Sequence, residues 1–236
     1  MSVTFDFSDD IVLVTGVGGA LGSAVAEKFL DANATVCGAD IVDTDSEDFL
    51  LENPDRIDFY QGDFTEESTV ESAIDSIVES HGRLDALINI AGTWRGGEPL
   101  HKTELSTFDF LFDINLKTMF LASKHALPHL RDTEGAIVSV SARSSLEGGE
   151  GDGIYRATKA GVRLLTETIA EENLGTVRAN AVMPGVIDTP MNREMMSSSD
   201  HSKWVDPADI GEVMLFLCSD AASPTSGGAI PVYGES

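Results

Sequence analysis

The sequence predicts a three-layer α/β domain: a doubly wound, seven-stranded parallel sheet with helices on both faces. Three observations carry this. Seven short apolar runs alternate with amphipathic stretches, the runs are apolar at consecutive positions, and a glycine cluster stands where the first run meets the first amphipathic stretch. The runs fall at 11–15, 35–39, 57–60, 86–90, 136–140, 177–183 and 229–232. Their continuous apolar character suits strands buried on both faces, as in a parallel sheet. Between them apolar residues recur at helical period: Leu21, Val25 and Phe29; Val70, Ile74, Ile77 and Val78; Val162, Leu165 and Ile169. Strand–helix alternation of this kind implies right-handed crossovers. No Pro/Ser-rich linker interrupts it, so residues 1–236 read as one domain.

Residues 188–204 break the rhythm with Pro190, three methionines and the run Ser197, Ser198, Ser199. The segment directly follows a strand end. Ligands of open α/β sheets bind beyond the carboxyl ends of the strands, so this insert is placed to cover a substrate; a plain surface loop is the alternative.

Forty acidic residues against fifteen basic ones give a net charge of −25. Such a surface repels phosphate backbones and anionic lipid heads, which argues against nucleic-acid and membrane partners. It also repels itself, and salt screens that repulsion. Adaptation to high salt follows as an expectation, with an acidic enzyme of ordinary cytosol as the alternative. Cys37 and Cys218 sit in apolar runs without metal-like spacing, so they read as reduced, buried thiols and no metal ion is expected. The first ten residues hold neither a positive charge nor an apolar stretch, and no apolar run nears the ~20 residues of a membrane span. A soluble, cytoplasmic protein is expected.

The first strand ends in Thr15-Gly16-Val17-Gly18-Gly19-Ala20-Leu21-Gly22 and runs into a helix. Glycines at such a turn let the backbone approach a pyrophosphate, while the helix start offers free N–H groups. Asp40 closes the second strand, 24 positions after Gly16. A carboxylate there accepts hydrogen bonds from ribose hydroxyls and repels a 2′-phosphate, which favours NAD(H) over NADP(H). A helix N-cap is its structural alternative. Tyr155 and Lys159 stand four apart on a helical pattern, so both side chains emerge on one face. An ammonium beside a phenol favours phenolate, and the pair is a chemically sensible acid/base unit.

These residues resemble those of the short-chain dehydrogenase/reductase family, a Rossmann-type fold, over essentially the whole chain. The family's T-G-x-x-x-G-x-G motif is matched by Thr15, Gly16 and Gly22, with Ala20 at the middle glycine. The resemblance implies a cofactor site of Gly16, Gly18, Gly19, Ala20, Leu21, Gly22 and Asp40. It continues through Asp63 with Phe64, then Asn89, Ala91 and Gly92 of an N-N-A-G-like motif, then Pro184, Gly185, Ile187 and Thr189. It also implies that Tyr155 exchanges a proton with the substrate oxygen while nicotinamide exchanges a hydride with its carbon. By the same pattern Lys159 binds the nicotinamide ribose, and Asn115 holds a water linking Lys159 to solvent.

One element departs from the family. The usual serine, thirteen positions before the tyrosine, is Ala142. Ser141 or Ser144 could supply the hydroxyl, or the chain does without it. Residues 141–149 are similar to the corresponding loop of dihydropteridine reductases, which lack this serine. Trp94, Arg95 and Arg143 flank the expected pocket and could hold a flat or anionic substrate. The resemblance further implies a homodimer or homotetramer paired through the helices bearing Asn115 and Tyr155. Three readings stand: an NAD(H)-dependent carbonyl/alcohol oxidoreductase, a pterin-type reductase, and an NAD(H)-binding regulator with little catalysis.

Overall fold

Seven strands form where the apolar runs lie: β1 (Ile11–Thr15), β2 (Thr35–Asp40), β3 (Asp58–Gln61), β4 (Ala86–Asn89), β5 (Ala136–Val140), β6 (Arg178–Pro184) and β7 (Ala229–Val232). The computed structural model describes residues 4–235, so residues 1–3 and 236 of the expected domain lie outside the described residues. All strands pair in parallel, in the order β3-β2-β1-β4-β5-β6-β7. The order reverses between β1 and β4. At such a point the two crossovers leave to opposite faces and open a crevice at the carboxyl edge of the sheet.

Successive strand residues point to opposite faces, which makes two cores. On one face Val12, Val14, Ile88 and Val138 pack under α1 (Ala20–Asp31) and α7 (Pro207–Cys218), through Val25, Phe29, Ile210 and Met214. On the other, Leu13, Leu87 and Ile137 pack under α2 (Glu67–His81), α4 (Thr118–Thr133) and α5 (Gly153–Glu172), through Ile74, Ile77, Leu121 and Val162. A shorter helix, α3 (Leu105–Phe112), joins α4 through a widened π-type turn, Asp113–Lys117, that contains Asn115.

The edge strands are less buried than the sequence suggests. β3 and β7 are half-exposed, because each has a neighbour on one side only. The connection from β2 to β3 also lacks a helix; its one regular piece is a 3-10 turn at Pro54–Arg56. Phe49, from this connection, covers one face of β3 by meeting Phe59 edge-on at 5.3 Å between centroids.

Residues 188–204 carry a short helix, α6 (Pro190–Met195), and a single turn at His201–Lys203. Their ends are fastened at the base. The Asp188 N–H donates to the Val205 carbonyl at 2.8 Å, and the Val205 N–H to that of Val186 at 2.9 Å. The segment therefore stands directly beyond the end of β6. Among the described residues no helix is long and apolar enough to cross a membrane.

Candidate active site

The crevice is set by one hydroxyl. Thr15 Oγ1, at the end of β1, accepts from the N–H groups of Ile90 and Ala91 at 3.1 and 3.3 Å and approaches the Ile88 carbonyl at 3.4 Å. The ends of β1 and β4 are thereby tied together. Gly16 then turns with φ +71, and a Cβ on it would stand 2.9 Å from the Ala91 backbone. A Cβ on Gly22 would meet the Gly16 carbonyl oxygen at 1.9 Å. Both positions demand glycine. Gly19 caps α1 without a side-chain hydrogen bond, and the first turn holds no acidic residue. The N–H groups at the start of α1, including those of Ala20 and Leu21, thus face the crevice as a site for an anion.

Asp40 caps no helix. Its Oδ2 accepts from the Gly18 N–H at 2.8 Å and its Oδ1 from that of Val42 at 3.0 Å, which holds the carboxylate against the glycine turn. The helix-free connection folds onto the same place. The Leu50 N–H donates to the Gly18 carbonyl at 2.8 Å, and a Cβ on Gly18 would stand 2.6 Å from the Phe49 ring. Backbone cradle, helix start and carboxylate together fit a dinucleotide.

Two residues assigned to the cofactor by resemblance do other work with their side chains. Asn89 is buried and donates to Ser123 Oγ and Ser139 Oγ at 3.2 Å each, locking β4 to α4 and β5. Phe64 is buried in the core beneath α2. Asp63 Oδ1 accepts from the Thr65 N–H and hydroxyl at 2.9 and 2.7 Å, shaping the turn before α2. Beyond β6, the Gly185 N–H donates to Val232 at 3.0 Å, Ile187 bridges to Val205, and Thr189 caps α6 by accepting from the Asn192 N–H at 3.2 Å.

Tyr155 and Lys159 lie on the first turns of α5, and Lys159 is brought to the crevice from there. A Cβ on Gly92 would stand 3.2 Å from Lys159 Nζ and 2.7 Å from Asn115 Oδ1, so the loop after β4 rests on both side chains. Asn115 Oδ1 accepts from the Thr93 N–H at 2.7 Å, while its Nδ2 donates to the Thr93 carbonyl at 3.0 Å and to Thr158 Oγ1 at 3.3 Å. Its side chain is therefore spent on fastening that loop to α5. The widened turn around it is of the kind that recurs at functional sites.

The expected electrostatic pairing of lysine and phenol is not what the structure shows. Lys159 Nζ turns into the sheet and donates to the Val140 carbonyl at 2.9 Å. Burial lowers its pKa to about 8. Burial, with Asp152 adding to it and Arg156 opposing, pushes the Tyr155 phenol up to about 12. Desolvation of the anion outweighs any nearby cation, and the phenol keeps its proton.

The serine question also resolves in part. Ser141 is buried and donates to the Lys159 carbonyl at 2.8 Å, so it does not replace the missing hydroxyl; its strand position points it under α5 instead. Ala142 is itself buried. Ser144 lies half-buried on the following turn, Arg143–Leu146. Ser145 points to Met183 Sδ at 3.9 Å.

At the mouth, the two cations expected beside Trp94 stack on other rings. Arg95 lies 4.0 Å over Phe110 of α3, and Arg143 4.8 Å over Tyr233. Trp94 stays 43% exposed, its ring folded over Gly96. The Gly97 N–H donates to Gly151 at 2.8 Å and closes the two loops over a cavity of about 120 Å³ lined by Arg95, Lys102, Glu104, Asp152 and Ile154. Arg156 holds the loop before α5: Nε donates to Asp152 at 2.6 Å, and Nη1 reaches the Glu147 carbonyl at 3.3 Å and those of Ser144 and Gly148 at 3.5 Å.

Sequence reasoning passed over Thr93, Thr158, Arg156, Phe49 and Tyr233. Only Arg156 carried a signal, as the i+4 partner of Asp152. The others act through contacts between distant segments.

Known proteins share this sequence pattern and fold. A family model described as enoyl-(acyl carrier protein) reductase matches residues 16–234. A 3-oxoacyl-[acyl-carrier-protein] reductase of Thermotoga maritima is 30% identical over 95% of this chain and 96% of its own. A cyclopentanol dehydrogenase of Comamonas testosteroni is 32% identical over 96% of each chain. Among solved structures, the ligand-free aldohexose dehydrogenase of Thermoplasma acidophilum superposes with a TM-score of 0.86 at 28% identity, covering 97% of this chain and 95% of its own. ElxO with NADP bound gives 0.87 at 28% identity, covering 95% and 97%. Over nearly its full length, then, this chain belongs to the short-chain dehydrogenase/reductase family, and it is a hydride-transferring oxidoreductase that uses a nicotinamide cofactor.

Proposed function

We propose that the protein is an NAD(H)-dependent carbonyl/alcohol oxidoreductase in which Tyr155 is the proton-transfer residue. The observation that carries this is the placement of Tyr155 one helical turn before Lys159 on α5, with the Lys159 amine lying against Gly92 at the crevice. A bound nicotinamide dinucleotide supplies or accepts the hydride. The chain does the rest. Gly16, Gly22 and the start of α1 receive the pyrophosphate. Asp40, fixed by Gly18 and Val42, accepts from ribose hydroxyls and repels a 2′-phosphate. In reduction Tyr155 gives its proton to the substrate oxygen, and in oxidation it takes one back. Lys159, with a pKa near 8, is poised to return that proton and to hold a ribose hydroxyl. Asn115 positions the loop that Lys159 touches.

The NADP-bound neighbour shows that this fold accepts the phosphorylated cofactor; the carboxylate of Asp40 is what favours NAD(H) here. Absence of a hydroxyl at Ala142 favours one second reading, a quinonoid pterin as substrate, because reduction of a plain ketone without that donor forgoes about 2.7–4 kcal/mol of transition-state stabilisation. A pure NAD(H) sensor has no use for Tyr155 and Lys159.

A cytoplasmic setting is supported by two free cysteines, and a high-salt one by the net charge of −25. Small-molecule substrates rather than nucleic acids or membranes suit that charge. Phe108, Phe120 and Leu164 lie exposed on α3, α4 and α5, which supports pairing of copies into a homodimer or homotetramer across that face.

Titration calorimetry with NADH and NADPH, then a carbonyl and dihydropterin panel followed at nicotinamide absorbance, tests the proposal. NADH binding and turnover of a carbonyl are expected. Turnover of pterins alone selects the second reading, and binding without any turnover selects the sensor. Asp40→Ala should narrow the preference for NADH by about tenfold, one lost charge-assisted hydrogen bond. An unchanged ratio removes Asp40 from the cofactor site. Melting temperatures should rise from low to molar potassium chloride; a flat series ends the salt argument.

A further inference from the structure

Away from the crevice, three side chains of different chemistry converge where no catalytic role reaches them. β2 and β3 run in register with Cys37 opposite Asp58. Paired residues of neighbouring strands share a face, here the one covered by α2. His81, the last residue of α2, comes back over the same spot. Its Nε2 lies 3.1 Å from Asp58 Oδ2 but off the hydrogen-bonding direction, and this buried nitrogen makes no hydrogen bond. Cys37 is fully buried. Its sulfur, a carboxylate oxygen of Asp58 and a ring nitrogen of His81 all lie within 4.8 Å of one another.

We infer that Cys37, Asp58 and His81 form a three-ligand site for a divalent cation of the zinc type. Bonds of about 2.3 Å to sulfur and about 2.0–2.2 Å to nitrogen and oxygen place tetrahedral ligand atoms roughly 3.4–3.7 Å apart, so small side-chain rotations that spread the 3.1 Å His81–Asp58 pair and close any wider gap complete the set. Thiolate and imidazole select zinc, or cobalt as its probe, over magnesium and calcium. On binding, the Cys37 thiol loses its proton to solvent and the metal takes the sulfur lone pair; water fills the fourth position. The Tyr60 phenol lies two residues along β3 from Asp58 on the same face, close enough to Cys37 to lower the thiol's pKa, and is placed to support the thiolate. Such an ion would pin the helix-free β2–β3 edge to the end of α2. Cys37 is three residues, about 10 Å, along β2 from Asp40, so the two sites are separable.

Tag-free protein is stripped with chelator and titrated with cobalt(II) in molar potassium chloride. One equivalent should produce a sulfur-to-cobalt charge-transfer band with tetrahedral visible absorption, and zinc should bleach both. Cys37→Ser should lose the charge-transfer band, and His81→Gln should weaken uptake by about tenfold or more. Zinc should raise the melting temperature of the wild type and not of Cys37→Ser. Unchanged NADH affinity in the stripped Cys37→Ser protein establishes that it is folded. A purely octahedral, oxygen-ligand spectrum, as carboxylates of an acidic surface give, overturns the site. So does a charge-transfer band that survives in Cys37→Ser, or a melting temperature indifferent to zinc.

Discussion

On the β1 side of the crevice, Gly16, Gly22 and the Ala91 backbone stand so close that no side chain fits between them. On the β5 side, the loop after Ala142 is held largely by side chains: Arg156 donates to three of its carbonyls, Arg143 stacks on Tyr233 and Ser145 meets Met183. The first arrangement is backbone against backbone, and it tolerates no local change. The second is side chains holding a loop, and different side chains could hold a different loop. The difference teaches how one fold keeps its cofactor while its substrate pocket varies: the rigid fit lies where the ligand is constant.

Tyr155→Phe should separate the two sides most sharply. It removes the proton donor from the substrate side, so turnover should fall by about 10²–10⁴-fold. NADH affinity should stay within a factor of two or three, since the glycine turn is untouched. Activity that persists in this variant, in a steady-state assay, refutes the mechanism.

Gly22→Ala attacks the other side. Its Cβ would sit 1.9 Å from the Gly16 carbonyl oxygen, and the neighbour is backbone, so the turn must shift. Overpacking of this kind costs about 1–3 kcal/mol of stability. NADH binding should drop out of calorimetric range. Retained binding at full stability would show that the β1 side yields as easily as the β5 side.

Arg156→Ala should show that yielding. Loss of its contacts to Asp152 and the loop carbonyls should raise KM several-fold and leave NADH affinity and kcat nearly unchanged, an effect of about 1 kcal/mol. A fall in NADH affinity would mean that the loop supports the cofactor side as well.

The same contrast governs what the sequence made legible. The strands lie within a residue of their apolar runs, because burial between helices selects consecutive apolar residues. Asp40 and the glycines were legible because a backbone fit leaves a spacing. The direction of Lys159 was not: two side chains one turn apart share a face, yet Nζ swings to Val140 and ignores the phenol. Ser141 misled for a like reason, since its hydroxyl is taken by the Lys159 carbonyl. Cys37, Asp58 and His81 have no spacing to read, because only strand register and a helix end bring them together.

Lys159 itself gives the smallest and most informative test, because its burial costs stability that its chemistry requires. Its amine titrates near 10.5 when unfolded and near 8 in the folded chain. Between those values the unfolded chain holds the extra proton, so this residue's contribution to stability rises with pH across the window. Below pH 8 the full penalty stands, about 3 kcal/mol for the displacement of its pKa. The hydrogen bond to Val140 recovers about 1–2 kcal/mol of it. Lys159→Met, similar in size and uncharged, should therefore be inactive but more stable by about 1–2 kcal/mol at pH 7. The gain should fade as pH passes 8, cross zero inside the window and become a loss of about 1–2 kcal/mol near 10.5, where the wild-type amine is already neutral and keeps its hydrogen bond to Val140. Denaturant melts at pH 7, 9 and 10.5 measure it. A variant less stable than wild type by the same amount at all three would mean that the ammonium of Lys159 carries no burial penalty, and that the crevice is wetter than its side chains suggest.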